Sequence, residues 1–399
     1  MAVTAILILI FFSFGDIGIL ESIIGSAWPA MYTWFSVSVS FQSIISIIIA
    51  VCNACACIYY GRIKKWLKTS TLLAICEAAT ALSLLGFALT RSHIFLCAMC
   101  IPFGFSIGFL VTCLNGAMAQ HYGARQMSWM HCLWGLGATI GPLLLSIFLN
   151  RDNWQGGFLC VSALQLVLAV VLFLTRRLWS RAFGRAEDNT EEPAEAVSQA
   201  SIEKVSYGEA LRQKGVWPTL TAFIIYSGIE QVLGLWGTSY LTLSIGATAD
   251  VAARIVSFNF LGVTIGRFLT GIFTSKLTNR QLINTGISLI CLGAILAMIT
   301  NTFFLQAAAF FMIGMGCAPI CPLMLLETPK RFQEKYVNIM MGLQTAVGYI
   351  GVATLAPLFG LFASNASGIL PVYVLALTLI LIVSRHMLYR KMKSVKANL

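Results

Sequence analysis

The residues best placed to do chemistry lie in two short stretches, "GILESIIGSAW" at 18–28 and "GIEQVLGLW" at 228–236. Each sets an acid, Glu21 or Glu230, four residues ahead of a glycine, with a tryptophan, Trp28 or Trp236, soon after. Both lie in segments that otherwise read as membrane-spanning. A carboxylate near a bilayer centre costs roughly 3 kcal/mol on insertion scales, so one that persists there is expected to face protein or water. The chemistry open to it is proton exchange or hydrogen bonding to a polar solute. Asp16 lies in the same span, two residues ahead of the first stretch, and for it a structural hydrogen-bond role competes equally. Glu77 reads as a structural acid, paired or snorkelling.

Other groups at comparable depth can donate and accept hydrogen bonds: Asn115, His131, Gln231, Asn259 and Gln344. Trp28, Trp134, Tyr226, Trp236 and Tyr349 offer flat faces to a sugar or another amphipathic solute. The competing role for each aromatic is interhelical packing or interfacial anchoring. Arg267 reads as a snorkelling or loop-locking cation, and Arg254 is equally ambiguous.

Enzyme chemistry finds no support. The sequence has no phosphate-cradling P-loop, no paired-histidine zinc signature and no nucleophile elbow. Its four histidines, at 93, 121, 131 and 386, are dispersed. The twelve cysteines are spread through apolar segments, where a free cysteine behaves as a small packing residue. No catalytic residue, cofactor, metal or disulfide is expected, and any energy source is an ion or solute gradient.

The elements that must position these groups are membrane spans. Of 399 residues, 58% are hydrophobic and 10% charged, against about 25% charged in a soluble domain. Crossing a hydrocarbon core takes about 20 apolar helical residues. Twelve segments qualify, at 2–27, 38–59, 70–90, 94–118, 128–149, 157–176, 216–240, 251–274, 281–301, 303–326, 338–363 and 367–388. The first lacks a basic leader and a small-residue cleavage site and carries two acids, so it reads as a retained span.

The net charge of +11 is a topology signal rather than a nucleic-acid footprint. Basic residues gather after spans 2, 4, 6, 8 and 10 and at the C-terminal end, while the odd-numbered exits hold little beyond Arg91 and Arg151. The positive-inside bias then places both termini in the cytoplasm of a multi-pass inner-membrane protein.

One long polar stretch, 177–214, contains "EDNTEEPAE" and reads as a flexible or partly helical cytoplasmic connector. It divides the chain into bundles 1–176 and 215–399, six spans each. The expected fold is therefore an all-α membrane protein of two pseudo-symmetric six-helix bundles. The paired acid–glycine–tryptophan runs indicate a parallel repeat. Spans 5 and 11 add a second correspondence, "GLGATIGP" and "MGLQTAVGYIGVATLAP", with spaced glycines that allow close helix contact.

With these features in place the chain resembles the major facilitator superfamily. "GILESIIGSAWPAMY", "LNGAMAQHYGARQMSWMHCLWGLGATIGP", "GIEQVLGLWGTSYL" and "GMGCAPICP" look like its bacterial sugar-permease branch, which includes fucose permease relatives. The resemblance implies a rocker-switch carrier with a central cavity between the halves and proton symport through membrane-embedded acids. Two departures stand out. Gly61 precedes Arg62 where an acid would be usual, and span 4 offers Val111, Thr112 and Asn115 but no carboxylate.

The expectation is a secondary transporter of a small polar solute, a sugar or related metabolite, acting as a monomer by proton-coupled symport. Glu21 and Glu230 would meet the substrate or proton, aided by Asp16, Asn115, His131, Gln231, Trp236, Tyr226, Asn259 and Gln344. Proton-antiport efflux is the alternative within transport. A non-transporting receptor or scaffold is the alternative outside it.

Overall fold

The computed structural model describes residues 2–64, 66–122, 124–183, 207–274 and 276–396, and among them every regular element is a helix. The first set comprises α1 (Ala2–Trp34), α2 (Gln42–Lys64), α3 (Thr69–Leu89), α4 (His93–His121), α5 (Ala124–Leu149) and α6 (Trp154–Leu174). Two short helices, α7 (Arg176–Phe183) and α8 (Tyr207–Leu211), flank the connector. The acidic stretch 187–195 lies outside the described residues.

The second set is α9 (Val216–Leu243), α10 (Ala249–Phe273), α11 (Asn279–Ile299), α12 (Phe303–Cys317), α13 (Ile320–Arg331), α14 (Glu334–Leu358), α15 (Gly360–Ala366) and α16 (Leu370–Lys396). Twelve segments are long and apolar enough to cross a membrane. The tenth and eleventh, which read as single segments in the sequence, are each two helices in series. Pro319 lies in the break between α12 and α13, and Pro357 in the last turn of α14. Proline removes an amide donor and crowds the preceding turn, which suits Pro319 to the first interruption, whereas α14 runs through Pro357 to Leu358.

The chain divides into two compact units, 1–197 with 248–257, and 198–247 with 258–399. The first residues of α10 group with the first unit. Within the first unit α1 packs on α5, α2 on α4, and α3 on both α4 and α6. Within the second, α9 packs on α14, α11 on both α12 and α16, and α10 approaches α12. Counted by span, four pairings recur in both units, first on fifth, second on fourth, and third on fourth and sixth, while the second unit adds an extensive first-on-sixth contact of α9 with α16.

Small residues make these seams. A Cβ added at Gly18 would overlap the Trp134 carbonyl, and one at Gly137 would overlap that of Gly15, so α1 and α5 touch backbone to backbone. In the second unit Gly351 on α14 stands in the same relation to Ile224 on α9. Without a hydrophobic drive between helices in lipid, such close van der Waals contact holds them together. The outer faces are apolar, as Leu166, Val167 and Val170 on α6 and Leu379, Ile380 and Val383 on α16 are exposed.

Candidate functional site

Glu21 sits on a helix that its own unit encloses. From 13 to 28 it is the one exposed residue of α1. Nearer the N-terminus, Phe12 is 68% exposed. Nine residues separate Phe12 from Glu21, about two and a half turns, so the two project from opposite sides of the helix. The acid therefore does not continue the apolar exposed face. The α1–α5 glycine seam brings Trp134 alongside, and its Nε1 donates to Glu21 Oε2 at 2.8 Å. That bond ties the Glu21 carboxyl to the α5 side of the seam.

Trp28, one member of the repeated motif, does different work. It is fully buried, stacks on Phe41 at 6.5 Å and donates through Nε1 to the Val39 carbonyl at 2.8 Å. Trp236 repeats the arrangement: buried, edge-on to Phe359 at 5.7 Å, and donating to the Ala356 carbonyl at 2.7 Å. The two tryptophans are thus fully buried and tied to backbone carbonyls of neighbouring segments.

Glu230 is dressed differently from Glu21. It belongs to a partly exposed strip of α9 with Ser227 and Gln231, while residues 232–240 are buried. Arg267 Nη2 on α10 donates to Glu230 Oε1 at 3.0 Å, with both side chains 23% exposed. Tyr226, one turn earlier on α9 and 2% exposed, lies within electrostatic reach of both. Arg267 is thus the acid's partner, correcting its reading as a snorkelling cation. The signal was present, since an arginine inside an apolar span needs a counter-charge. The two acids are dressed differently: Glu21 accepts from an indole N–H, whereas Glu230 faces a guanidinium.

The remaining candidates occupy separate local contacts. Asn115 Nδ2 donates to the Val111 carbonyl of its own helix at 2.9 Å. His131 meets the Phe14 ring edge-on at 5.0 Å. Gln344 is fully buried and accepts from the Thr328 hydroxyl at 3.0 Å. Asn259 is 2% exposed, with its backbone against Gly314. Asp16, 5% exposed, accepts from Gln165 Nε2, a partner that the sequence did not flag. Arg254 pairs with Asp250 on its own helix. All twelve cysteines are free, and the described residues hold no group of three or more metal-binding side chains.

Comparisons with known proteins agree with this architecture. The family model described as Major Facilitator Superfamily matches residues 6–243 and 232–397. A glucose/mannose transporter, GlcP of Bacillus subtilis (strain 168), is 28% identical over 305 residues, covering 75% of this chain and 73% of that protein. Among solved structures, the nucleoside transporter NupG superposes with a TM-score of 0.74 at 13% identity, covering 96% of this chain and 97% of its own. A bacterial homologue of the human lysosomal transporter Spinster, inward-facing and occupied, gives 0.72 at 13% identity over 98% and 97% of the two chains.

Proposed function

The chain belongs to the Major Facilitator Superfamily, a multi-pass membrane transporter rather than an enzyme, and from that premise we propose that it carries a sugar or closely related polar solute by proton symport. Transport proceeds by alternating access, and the protein works as a monomer. Its membrane is the inner one, with both termini cytoplasmic, because the basic residues gather at the even-numbered exits and at the C-terminal end.

The observation that carries the substrate class is Glu21, exposed alone along an otherwise buried stretch of α1 and held by the Trp134 indole. A carboxylate accepts hydrogen bonds from vicinal hydroxyls, and an indole beside it offers a flat apolar face to the C–H side of a pyranose. Similarity to a glucose/mannose transporter supports the same class. In the other unit Gln231 adds a donor and acceptor next to Glu230. A proton or a substrate hydroxyl arriving at Glu230 competes with Arg267, so loading changes how the ion pair is held.

The glycine–proline element "GATIGP", which matches antiporters as well as sugar permeases, has a packing explanation. Gly137 and Gly141 seat α5 against Gly15, Ile19 and Ser22 of α1. It therefore adds no weight to efflux by antiport.

The test is sugar counterflow in proteoliposomes, which needs binding and translocation but no gradient. Glu21→Gln is expected to lower glucose or mannose exchange at least tenfold, equivalent to about 1.4 kcal/mol, while leaving the melting temperature unchanged. Trp134→Phe should weaken sugar affinity in the same direction. Unaltered exchange in both variants, or exchange of nucleosides and not sugars, overturns this substrate class.

A further inference from the structure

The first unit contains a second acidic locus that substrate binding at Glu21 does not use. Glu77 on α3 is 0% exposed, and neither of its carboxyl oxygens has a hydrogen-bond partner. Asp16 on α1 lies within electrostatic reach of it, and its Oδ1 is likewise buried and unpartnered. Asp16 Oδ2 takes its hydrogen bond from Gln165 on α6. Gln165, itself fully buried, accepts at Oε1 from the Thr80 hydroxyl at 3.1 Å, and Thr80 lies one turn along α3 from Glu77. A further bond from Ser162 on α6 to the Ala81 carbonyl, at 2.7 Å, closes α6 onto α3 at the same level.

Two carboxyl groups thus share a solvent-inaccessible junction of α1, α3 and α6 in which Gln165 supplies an amide donor. The ion pairs among the described residues involve neither Asp16 nor Glu77. Titratable neighbours are Cys76 beside Glu77, Cys113 on α4 and His131 against Phe14, while Cys160 on α6 is exposed. Arg176 and Arg177, at the start of α7, are exposed. An uncompensated buried ion costs several kcal/mol even after relaxation, and two of one sign cost more. The three unpartnered oxygens are acceptors without donors, and the smallest ligand that remedies this is a proton, which turns one carboxyl into a donor.

We propose that Asp16 and Glu77 form a proton-holding pair inside the N-terminal unit, carrying at least one proton while α1, α3 and α6 are packed together and exchanging it when water reaches that junction. The bond formed is O–H on one carboxyl, and the proton leaves to water as the helices part. Nothing in this depends on which solute is carried, so the pair stands or falls apart from the sugar reading.

The experiment is a proton count on the full-length purified chain at neutral pH. Denaturing the protein in weakly buffered solution with a pH-indicator dye is expected to release at least one more proton per chain from wild type than from Asp16→Asn/Glu77→Gln. The single variant Glu77→Gln, which keeps shape and neutrality, should be as well folded as wild type and shift the protonated-carboxyl C=O band in the infrared spectrum. If the double variant does not fold, that band shift alone decides. Equal proton release, or an infrared band unchanged by Glu77→Gln, overturns the pair. Equal release together with a sodium-dependent rise in wild-type melting temperature overturns it in favour of a metal cation.

Discussion

At the scale of residues, the two acids that the sequence pairs by motif are separated by their partners. Glu21 hydrogen-bonds an indole, and Glu230 faces a guanidinium. Removing Arg267 should therefore injure the protein through the charge it leaves behind. For a fully buried pair that loss is about 3–5 kcal/mol, and since both side chains here are 23% exposed, Arg267→Met should cost about 2 kcal/mol. Adding Glu230→Gln should restore most of it, as measured by thermal melting of the two single variants and the double. Equal destabilisation in the double variant contradicts the pairing. The acids themselves were legible because a charge in an apolar run is conspicuous. Which partner each takes was not: an arginine inside an apolar span signalled a counter-charge without saying whose, and Trp134 lies 113 positions from Glu21 and Arg267 37 from Glu230, distances that no local pattern spans. Gln165 was missed for the same reason, being a neutral side chain in a span with no other mark.

At the scale of elements, hydropathy located all twelve spans because length and apolarity are what a bilayer demands of a helix. Pro319 and Pro357, near the breaks in the tenth and eleventh spans, were visible as residues, but the breaks depend on backbone geometry. Glycine spacing in spans 5 and 11 pointed to close contact, and the seams bear this out with different severity at each site. Gly137→Ala places a methyl on the Gly15 backbone, and overpacking of that kind costs about 1–3 kcal/mol or more. Gly342, in the middle of α14, has open space around its Cβ direction, so Gly342→Ala should be neutral or stabilising by up to about 1 kcal/mol. Detergent melting curves compare the two directly. A neutral Gly137→Ala contradicts the backbone seam.

At the scale of the whole molecule, the same pairing of first with fifth, second with fourth, and third with fourth and sixth spans recurs in both units. That repeat was foreshadowed by one motif and two glycine-rich helices, yet only packing reveals that it extends to every span. The proposed orientation rests on the charge distribution. A fluorescent reporter fused to either terminus should fold and fluoresce, while an exported phosphatase fused at the same places should stay inactive. The opposite result at both ends reverses the proposed topology.

Proton-coupled sugar entry makes one further demand on the intact protein, that a proton gradient alone should drive accumulation. The direct measurement is uptake of labelled glucose or mannose into proteoliposomes under an imposed inward proton gradient, with wild type and Glu21→Gln compared. Symport predicts accumulation above the external concentration in wild type, collapse with a protonophore, and little uptake in the variant. Accumulation only under an outward gradient, or sugar flux that ignores both the gradient and Glu21, contradicts it.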